Sequence, residues 1–151
     1  MTKTSRALES LKSVELNGET FFKIEKSDRL RPFFMSIVSP SNHWLFIGSN
    51  GGLTAGRKNA EYALFPYYSD DKIIESTEIT GPKTIVQCQE HVQLINWEPF
   101  SQFGSEKFSI ERNLYKNQYG NKVIFEEINH DLLMTFRYEW ASSDKYGFIR
   151  T

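Results

Sequence analysis

Residues 122–140, KVIFEEINHDLLMTFRYEW, decide the fold of this chain. From Met134 to Trp140 every second residue is apolar, and the residues between are Thr, Arg and Glu. Such a period of two is typical of an antiparallel strand with one face in a core and the other in water. Residues 129–131 (Asn-His-Asp) have turn chemistry, so the partner strand is predicted at Val123–Ile128. We therefore expect a hairpin of two long strands here.

Similar strand patterns recur along most of the chain. The pair Asn17-Gly18 predicts a two-residue hairpin turn between residues 14–16 and 20–24, because both residues tolerate positive φ. Residues 119–121 (Tyr-Gly-Asn) predict the turn before Lys122. Beyond this first hairpin, and including the two strands of the 122–140 hairpin, the predicted strands are Phe33–Ser39, His43–Gly48, Tyr62–Tyr67, Ile73–Ile79, Thr84–Gln89, Val92–Trp97, Lys107–Lys116, Lys122–Ile128, Leu132–Trp140 and Tyr146–Arg150.

Two segments do not follow the strand pattern. Apolar residues at helical spacing over residues 5–14 predict one short helix, which gives a helical segment 1–13 and an antiparallel β domain 14–151. Residues 98–106 (EPFSQFGSE) are predicted to be an ordered loop. The last predicted strand ends without turn residues, so we expect an incomplete β domain at the start of a longer polypeptide.

Composition narrows the classes of function. The 151 residues suit one domain, and 18 basic against 19 acidic residues leave no positive surface typical of a nucleic-acid or membrane-surface protein. The first residues lack the apolar core of a signal peptide, and no apolar run reaches the ~20 residues of a membrane span. The expected compartment is the cytoplasm. Phe, Trp and Tyr make up 15% of the chain, which favours strands.

A glycine-rich turn interrupts the strands of the first half. Residues 51–58, GGLTAGRK, nearly match the spacing of a phosphate-binding loop, but Arg57 and Lys58 replace its Lys and Ser/Thr. We therefore predict that Gly51, Gly52 and Gly56 form a hairpin turn or bulge. The following Arg57, Lys58 and Asn59 are candidates for contact with a ligand or another domain.

Catalytic and metal-binding motifs are weak. The three histidines lack Cys or carboxylate at metal-ligand spacing, so neither a metal nor a cofactor is expected. Asp70-Asp71 is predicted to be a turn. Glu126 and Glu127 are neighbours in a strand and point to opposite faces, so they cannot act on one bond as glycosidase carboxylates do. No catalytic residue is assigned.

The three tryptophans could stack on sugars or pack in the core. Trp44 and Trp140 are predicted to be core residues. Trp97 precedes the break at Glu98-Pro99, and it is the candidate for contact with a ligand.

A resemblance to a known family rests on three stretches: FFMSIVSPSNHWLFIGSNGGLTAGRKNAEYALFPYYSDDKI, RNLYKNQYGNKVIFEEIN and FRYEWASSDKYGFIR. Together with Gly51-Gly52 and residues 58–60 (Lys-Asn-Ala), they resemble the start of large bacterial proteins related to cellobiose phosphorylases and similar glycoside hydrolases. The resemblance covers roughly residues 20–151. It departs from the phosphorylases at Asn59, where Asp is commoner.

This resemblance implies a fold, and it implies that the catalytic residues lie in a separate domain. The fold is an antiparallel β-super-sandwich of the galactose-mutarotase type, and a separate helical barrel carries the catalytic acid. The chain would then be a non-catalytic supporting domain near the sugar site, with the barrel, carbohydrate and a second copy as expected partners. Two alternatives stay open. A stand-alone carbohydrate-binding module would expose aromatic side chains, and a small β-fold enzyme would need converging polar groups in a pocket.

Overall fold

The structure is a computed structural model, and it describes residues 11–65, 67, 69–75, 77–80, 83–90, 92–143 and 149–150. Strands dominate this part of the chain, so the prediction of a mainly β fold is confirmed. In chain order the elements are β1 (Leu11–Leu16), β2 (Glu19–Ile24), a 3-10 helix (Ser27–Arg29), β3 (Phe34–Ser36), β4 (His43–Gly48), β5 (Leu53–Arg57), a 3-10 helix (Ala60–Tyr62), β6 (Ala63–Phe65), α1 (Asp70–Glu75), β7 (Val86–Glu90), β8 (Gln93–Trp97), α2 (Gln102–Lys107), β9 (Ile110–Asn117), β10 (Lys122–Asn129), β11 (Met134–Ser142) and β12 (Ile149–Arg150).

The strands form antiparallel sheets that pack as a β-sandwich. One sheet has the order β1-β2-β9-β10-β11-β12, a second has the order β3-β4-β5-β6, and β7 pairs with β8. The core lies between the two larger sheets and is built from apolar side chains of both. It consists of Met35, Ile37, Leu45, Ile47, Leu53 and Ala55 from the four-stranded side, and Leu114, Val123, Phe125 and Trp140 from the six-stranded side.

The hairpin predicted from residues 122–140 is confirmed. Strand β10 pairs with β11 from Lys122 opposite Ala141 to Asn129 opposite Met134. The Asn129 side chain fixes the turn, because its Oδ1 accepts hydrogen bonds from the backbone N–H groups of Asp131 (3.1 Å) and Leu132 (2.9 Å). The first hairpin is confirmed as well, with Asn17 at φ 53° and Gly18 at φ 78° between β1 and β2.

The predicted helix over residues 5–14 is wrong from Leu11 onward, whereas residues 1–10 lie outside the described part. Residues Leu11–Leu16 form β1 and pair along their whole length with β2. The predicted boundary between a helical segment 1–13 and a β domain therefore falls inside a strand. Cross-strand pairing outweighs the weak helical spacing of a short segment.

The prediction of a strand at Ile73–Ile79 and a turn at Asp70-Asp71 is also wrong, because Asp70–Glu75 is helix α1. Ile73 is buried. The Asn50 side chain donates to the Ile74 carbonyl (2.8 Å), and Thr77 Oγ1 donates to the Asn50 carbonyl (2.8 Å). These contacts hold α1 against the turn that precedes β5.

A second short helix occupies part of the predicted loop 98–106. Ser101 caps α2, because its Oγ accepts a hydrogen bond from the Gly104 N–H (2.9 Å) and donates one to the Glu98 carbonyl (2.9 Å). The predicted strand Tyr62–Tyr67 is shorter than expected, since only Ala63–Phe65 is β6. The galactose-mutarotase type of sandwich stays a prediction.

Candidate functional site

The glycine-rich segment is a hairpin turn followed by a strand. Gly51 has φ +95°, a conformation that side chains rarely adopt. A Cβ on Gly52 would lie 1.9 Å from the Ile73 carbonyl oxygen, and one on Gly56 would lie 2.5 Å from the Trp44 ring. Gly51 and Gly52 thus lie at the turn between β4 and β5, whereas Gly56 lies inside β5. Sequence inspection missed that Leu53–Arg57 continues as β5.

The basic segment Arg57–Asn59 lies exposed at the end of β5. Lys58 has φ 58°, and its ammonium lies 5.4 Å from the centre of the Tyr62 ring. Asn59 caps the 3-10 helix that follows, because its Oδ1 accepts a hydrogen bond from the Glu61 N–H (3.2 Å). Asn59 thus has a structural function at this turn, while Arg57 and Lys58 form its exposed basic end.

An aromatic strip lies on the outer face of the four-stranded sheet and consists of Phe34, Trp44, Phe46 and Tyr67. Trp44 and Phe46 alternate along β4 with the core residues Leu45 and Ile47, so they point outward. Ring centres are 5.4 Å apart for Phe34 and Phe46, 6.0 Å for Trp44 and Phe46, and 5.7 Å for Trp44 and Tyr67. These successive contacts make the strip continuous.

Exposure of the strip is greatest at its ends. Phe34 is 41% exposed and Tyr67 is 59% exposed, whereas Trp44 and Phe46 are partly buried. Leu64 in β6 is 70% exposed beside Phe65, whose ring packs against the core residue Trp140. Leu64 lies at a register shift between β5 and β6, where Ala63 pairs with Gly56 and Phe65 pairs with Ala55. The prediction that Trp44 is a core residue is wrong, and the alternation in residues 43–47 is the signal that places it outside.

Glu127 lies on the inner face of the six-stranded sheet, and its side chain is fully buried. Its carboxylate accepts hydrogen bonds from Arg112 Nε (2.8 Å), Trp97 Nε1 (2.8 Å) and the Phe100 backbone N–H (2.7 Å). These donors come from β8, β9 and the turn before α2. Glu127 thus ties three segments together and has the character of a structural carboxylate.

Glu126 points to the opposite face, as the strand alternation predicts. Its carboxylate accepts hydrogen bonds from Asn113 Nδ2 (2.9 Å), the Tyr115 hydroxyl (2.8 Å) and Arg137. Burial raises the pKa of the Glu126 carboxyl, but the hydrogen bonds and the charge of Arg137 outweigh burial and bring the pKa below its usual value. Burial and the bond to Glu126 raise the pKa of the Tyr115 hydroxyl.

Trp97 is buried, with only 1% of its surface exposed, so the prediction that it contacts a ligand is wrong. Its indole N–H donates to Glu127, and its ring packs edge-on against Phe136 at 6.4 Å. A tryptophan that precedes a proline-containing loop can be buried when a carboxylate from a distant strand accepts a hydrogen bond from its indole N–H. Here that carboxylate is 30 residues away in sequence.

Comparisons with known proteins add no assignment, because no family model matches the chain and a search of curated proteins finds no significant match. Within the described part, no three His, Cys, Asp or Glu side chains are grouped so that they could hold a metal ion. No helix in the described ranges is both long enough and apolar enough to cross a membrane.

Proposed function

We propose that this chain is a non-catalytic supporting domain of a carbohydrate-active protein that resembles glycoside phosphorylases and hydrolases. In this proposal the aromatic strip packs against a helical barrel domain of the same protein. The observation that carries the proposal is the continuous apolar surface formed by the strip, whose ends Phe34 and Tyr67 are exposed. Contiguous apolar surface of this kind is typical of an interaction site.

The basic segment directly follows β5, which pairs with both β4 and β6. Lys58 sits over the Tyr62 ring, and Tyr62 immediately precedes β6 with its exposed Leu64. An apolar centre with a charged edge is the usual composition of an interface between domains. Arg57 and Lys58 therefore form the polar rim of the proposed contact.

The two strand carboxylates fit a supporting role. Glu126 and Glu127 lie on opposite faces of the six-stranded sheet, and each is already hydrogen-bonded by three groups of its own chain. Neither belongs to the aromatic strip, so the proposal assigns no catalytic step to this chain.

The first test is the sequence of the gene beyond codon 151. We expect an open reading frame that encodes a helical barrel with a catalytic carboxylate. A stop codon directly after Thr151 in an intact gene would contradict the proposal.

The second test measures association of this chain with the separately expressed barrel by titration calorimetry. Phe34→Asp places a charge in the proposed contact, because Phe34 is an exposed end of the strip, and we expect it to weaken association at least about tenfold. Leu133→Asp is the matched control, because Leu133 is 90% exposed in the distant β10–β11 turn. Equal affinities for the two variants would refute this use of the strip.

A stand-alone carbohydrate-binding module is the second candidate, and the exposed ring of Tyr67 beside Trp44 favours it. Aromatic rings present flat apolar surface to which the C–H face of a sugar can bind. In this case the isolated chain binds glucans or xylans, and Tyr67→Ala removes the affinity whereas Tyr119→Ala retains it. Binding of the barrel without binding of glycans would instead favour the supporting domain.

A further inference from the structure

Asn17 and Gly18 form the two-residue turn between β1 and β2. Asn17 has φ 53° and Gly18 has φ 78°, and both residues are exposed. The space in front of Gly18 is open, because no atom lies within 4 Å of the position of a Cβ there. A carboxamide followed by glycine thus lies at the tip of an exposed hairpin.

An asparagine followed by glycine places an electrophile beside a nucleophile. The backbone nitrogen of the second residue can attack the side-chain Cγ of the first and close a cyclic imide. Glycine obstructs this attack least, because it has no Cβ and its backbone rotates freely. Asparagine belongs to the thermolabile residues of proteins for this reason. The reaction requires a free carboxamide, a following glycine and a backbone that can rotate.

Two Asn-Gly pairs occur in the chain, and hydrogen bonds hold the second of them. Asn50 Nδ2 donates to the Ile74 carbonyl (2.8 Å), and Asn50 Oδ1 accepts from the Gly52 N–H (3.4 Å). The side chain of Asn17 has no hydrogen-bond partner in the part of the chain that the structure describes. Asn50 must therefore break its hydrogen bonds before its Cγ can be attacked, whereas Asn17 need not.

The other asparagines lack at least one of the requirements. Asn42 and Asn96 are exposed, but a residue with a bulky ring side chain follows each of them. The remaining five have hydrogen-bonded side chains and no glycine after them, and they are Asn59, Asn113, Asn117, Asn121 and Asn129. Asn17 therefore combines a free carboxamide with a following glycine, and the other asparagines do not.

The place of the turn in the fold permits the rotation. The imide does not close from the left-handed conformation of Asn17, so the turn must open first. Among the described strands β1 pairs with β2 alone, at the edge of the six-stranded sheet. Opening the tip of an edge hairpin disrupts few contacts and does not require the core to unfold.

We propose that Asn17 is a site of spontaneous deamidation, and that the isoaspartate formed there releases β1 from the sheet. The Gly18 nitrogen loses its proton and forms a bond to Cγ of Asn17, the Cγ–Nδ2 bond breaks, and Nδ2 leaves as ammonia with that proton. Water then opens the imide, because its hydroxyl adds to one of the two carbonyl carbons and its proton returns to the nitrogen. Attack at Cγ gives aspartate, and attack at the main-chain carbonyl gives isoaspartate.

Isoaspartate changes the turn more than aspartate does. It routes the main chain through the side-chain carbon and thereby adds one CH₂ group between Leu16 and Glu19. These two residues face each other directly in the hairpin. Because the length of the turn fixes the register of both strands, a longer turn displaces the pairing of β1 with β2.

The first test follows deamidation of the whole chain at mildly alkaline pH by mass spectrometry of the peptides that contain Asn17 and Asn50. Replacement of NH₂ by OH changes the mass and identifies the residue. We expect deamidation at Asn17 to be at least about tenfold faster than at Asn50, because two hydrogen bonds of about 1 kcal/mol each protect Asn50. In concentrated urea the two rates should converge, since neither pair is then protected.

The second test measures hydrogen exchange of the isoaspartate form after chromatographic separation. We expect the amides of β1 to exchange at least about tenfold faster than in the fresh chain. Asn17→Asp is the matched control, because it has the same added charge and an unchanged main chain, and Asp tolerates the left-handed conformation. Its β1 amides should exchange as those of the fresh chain do.

Three results would overturn the proposal. These are equal rates at Asn17 and Asn50 in the folded chain, an excess at Asn17 that is as large in urea as in the folded chain, and unchanged exchange of β1 in the isoaspartate form. The site shares no residue with the aromatic strip, so failure of any of these measurements is distinguishable from failure of the proposed supporting role.

Discussion

Glu127 is a fully buried carboxylate whose hydrogen bonds connect separate segments of the fold. Its carboxylate is the shared acceptor for Arg112, Trp97 and the Phe100 N–H. Removing one partner of a buried ion pair leaves the other charge without compensation and costs roughly 3–5 kcal/mol. We therefore expect Glu127→Gln to lower the free energy of unfolding by about 3 kcal/mol in urea denaturation.

The control for this variant is Glu106→Gln, because Glu106 is an exposed glutamate in α2. It removes the same charge and should change the free energy of unfolding by less than about 0.5 kcal/mol. If both variants unfold at the same urea concentration, Glu127 does not hold β8, β9 and the Phe100 turn together.

The pH dependence of stability should report on Glu126. Its pKa in the folded chain lies below the ordinary value of 4.5, so below that pH the unfolded chain binds more protons than the folded chain. The contribution of Glu126 to stability is therefore present above about pH 4.5 and is lost as the pH falls through the folded-state pKa. We expect the stability difference between the unchanged chain and Glu126→Gln to shrink over this range.

Guanidinium denaturation at a series of pH values measures this difference. Glu61→Gln serves as the control, because Glu61 is exposed beside the basic segment. A stability difference for Glu126→Gln that is the same at neutral and acidic pH would contradict the role of the Asn113, Tyr115 and Arg137 hydrogen bonds.

The sequence predicts that the side chains of Glu126 and Glu127 point to opposite faces of the sheet, but it does not predict their hydrogen-bond partners. Alternation in a strand is a local property, and it correctly separates Glu126 from Glu127. The donors to Glu127 come from residues 15, 27 and 30 positions away, and only the folded arrangement brings them together. For the same reason the sequence left open whether Trp97 packs in the core or contacts a ligand.

At the scale of the elements, the position of helix α1 depends on Gly52, which packs directly against it. Gly52 lies so close to the Ile73 carbonyl that a Cβ there forces the helix to move. We expect Gly52→Ala to cost about 3 kcal/mol and to increase hydrogen exchange in α1 and in Thr77.

Gly18→Ala is the control, because it introduces backbone strain without a steric clash. Gly18 has φ +78°, and no atom lies within 4 Å of the position of its Cβ. The variant should cost only about 1 kcal/mol and leave exchange in α1 unchanged. Equal exchange in α1 for the two variants would argue against close packing at Gly52.

The difference between the elements that were predicted and those that were missed has a physical basis. The β10–β11 hairpin is encoded locally, by alternation over each strand and by a turn between them. Helices α1 and α2 have six residues each, which is fewer than two turns and too short to show a repeating helical pattern, and tertiary contacts and one cap stabilise them. Strand β5 was missed because glycines interrupt its pattern, although Gly56 is needed there for the close approach of Trp44.

In the whole molecule, the aromatic strip and the pocket lined by Phe136 and Tyr138 are separate surfaces. The strip lies on the outer face of the four-stranded sheet, whereas Tyr138 and Phe136 of the pocket belong to β11 in the six-stranded sheet. A domain bound to the strip therefore need not cover the pocket.

The shared core predicts that the two large sheets unfold together. Leu45 and Ile47 of β4 belong to the same buried cluster as Phe125 and Trp140, so neither sheet can keep its core without the other. A chain labelled with 5-fluorotryptophan tests this by ¹⁹F NMR, because Trp44, Trp97 and Trp140 report on the four-stranded sheet, the β7–β8 hairpin and the central core. We expect the three native signals to disappear at one urea concentration. Earlier loss of the Trp44 signal alone would instead mean that the four-stranded sheet, with its aromatic strip, is a separate folding unit.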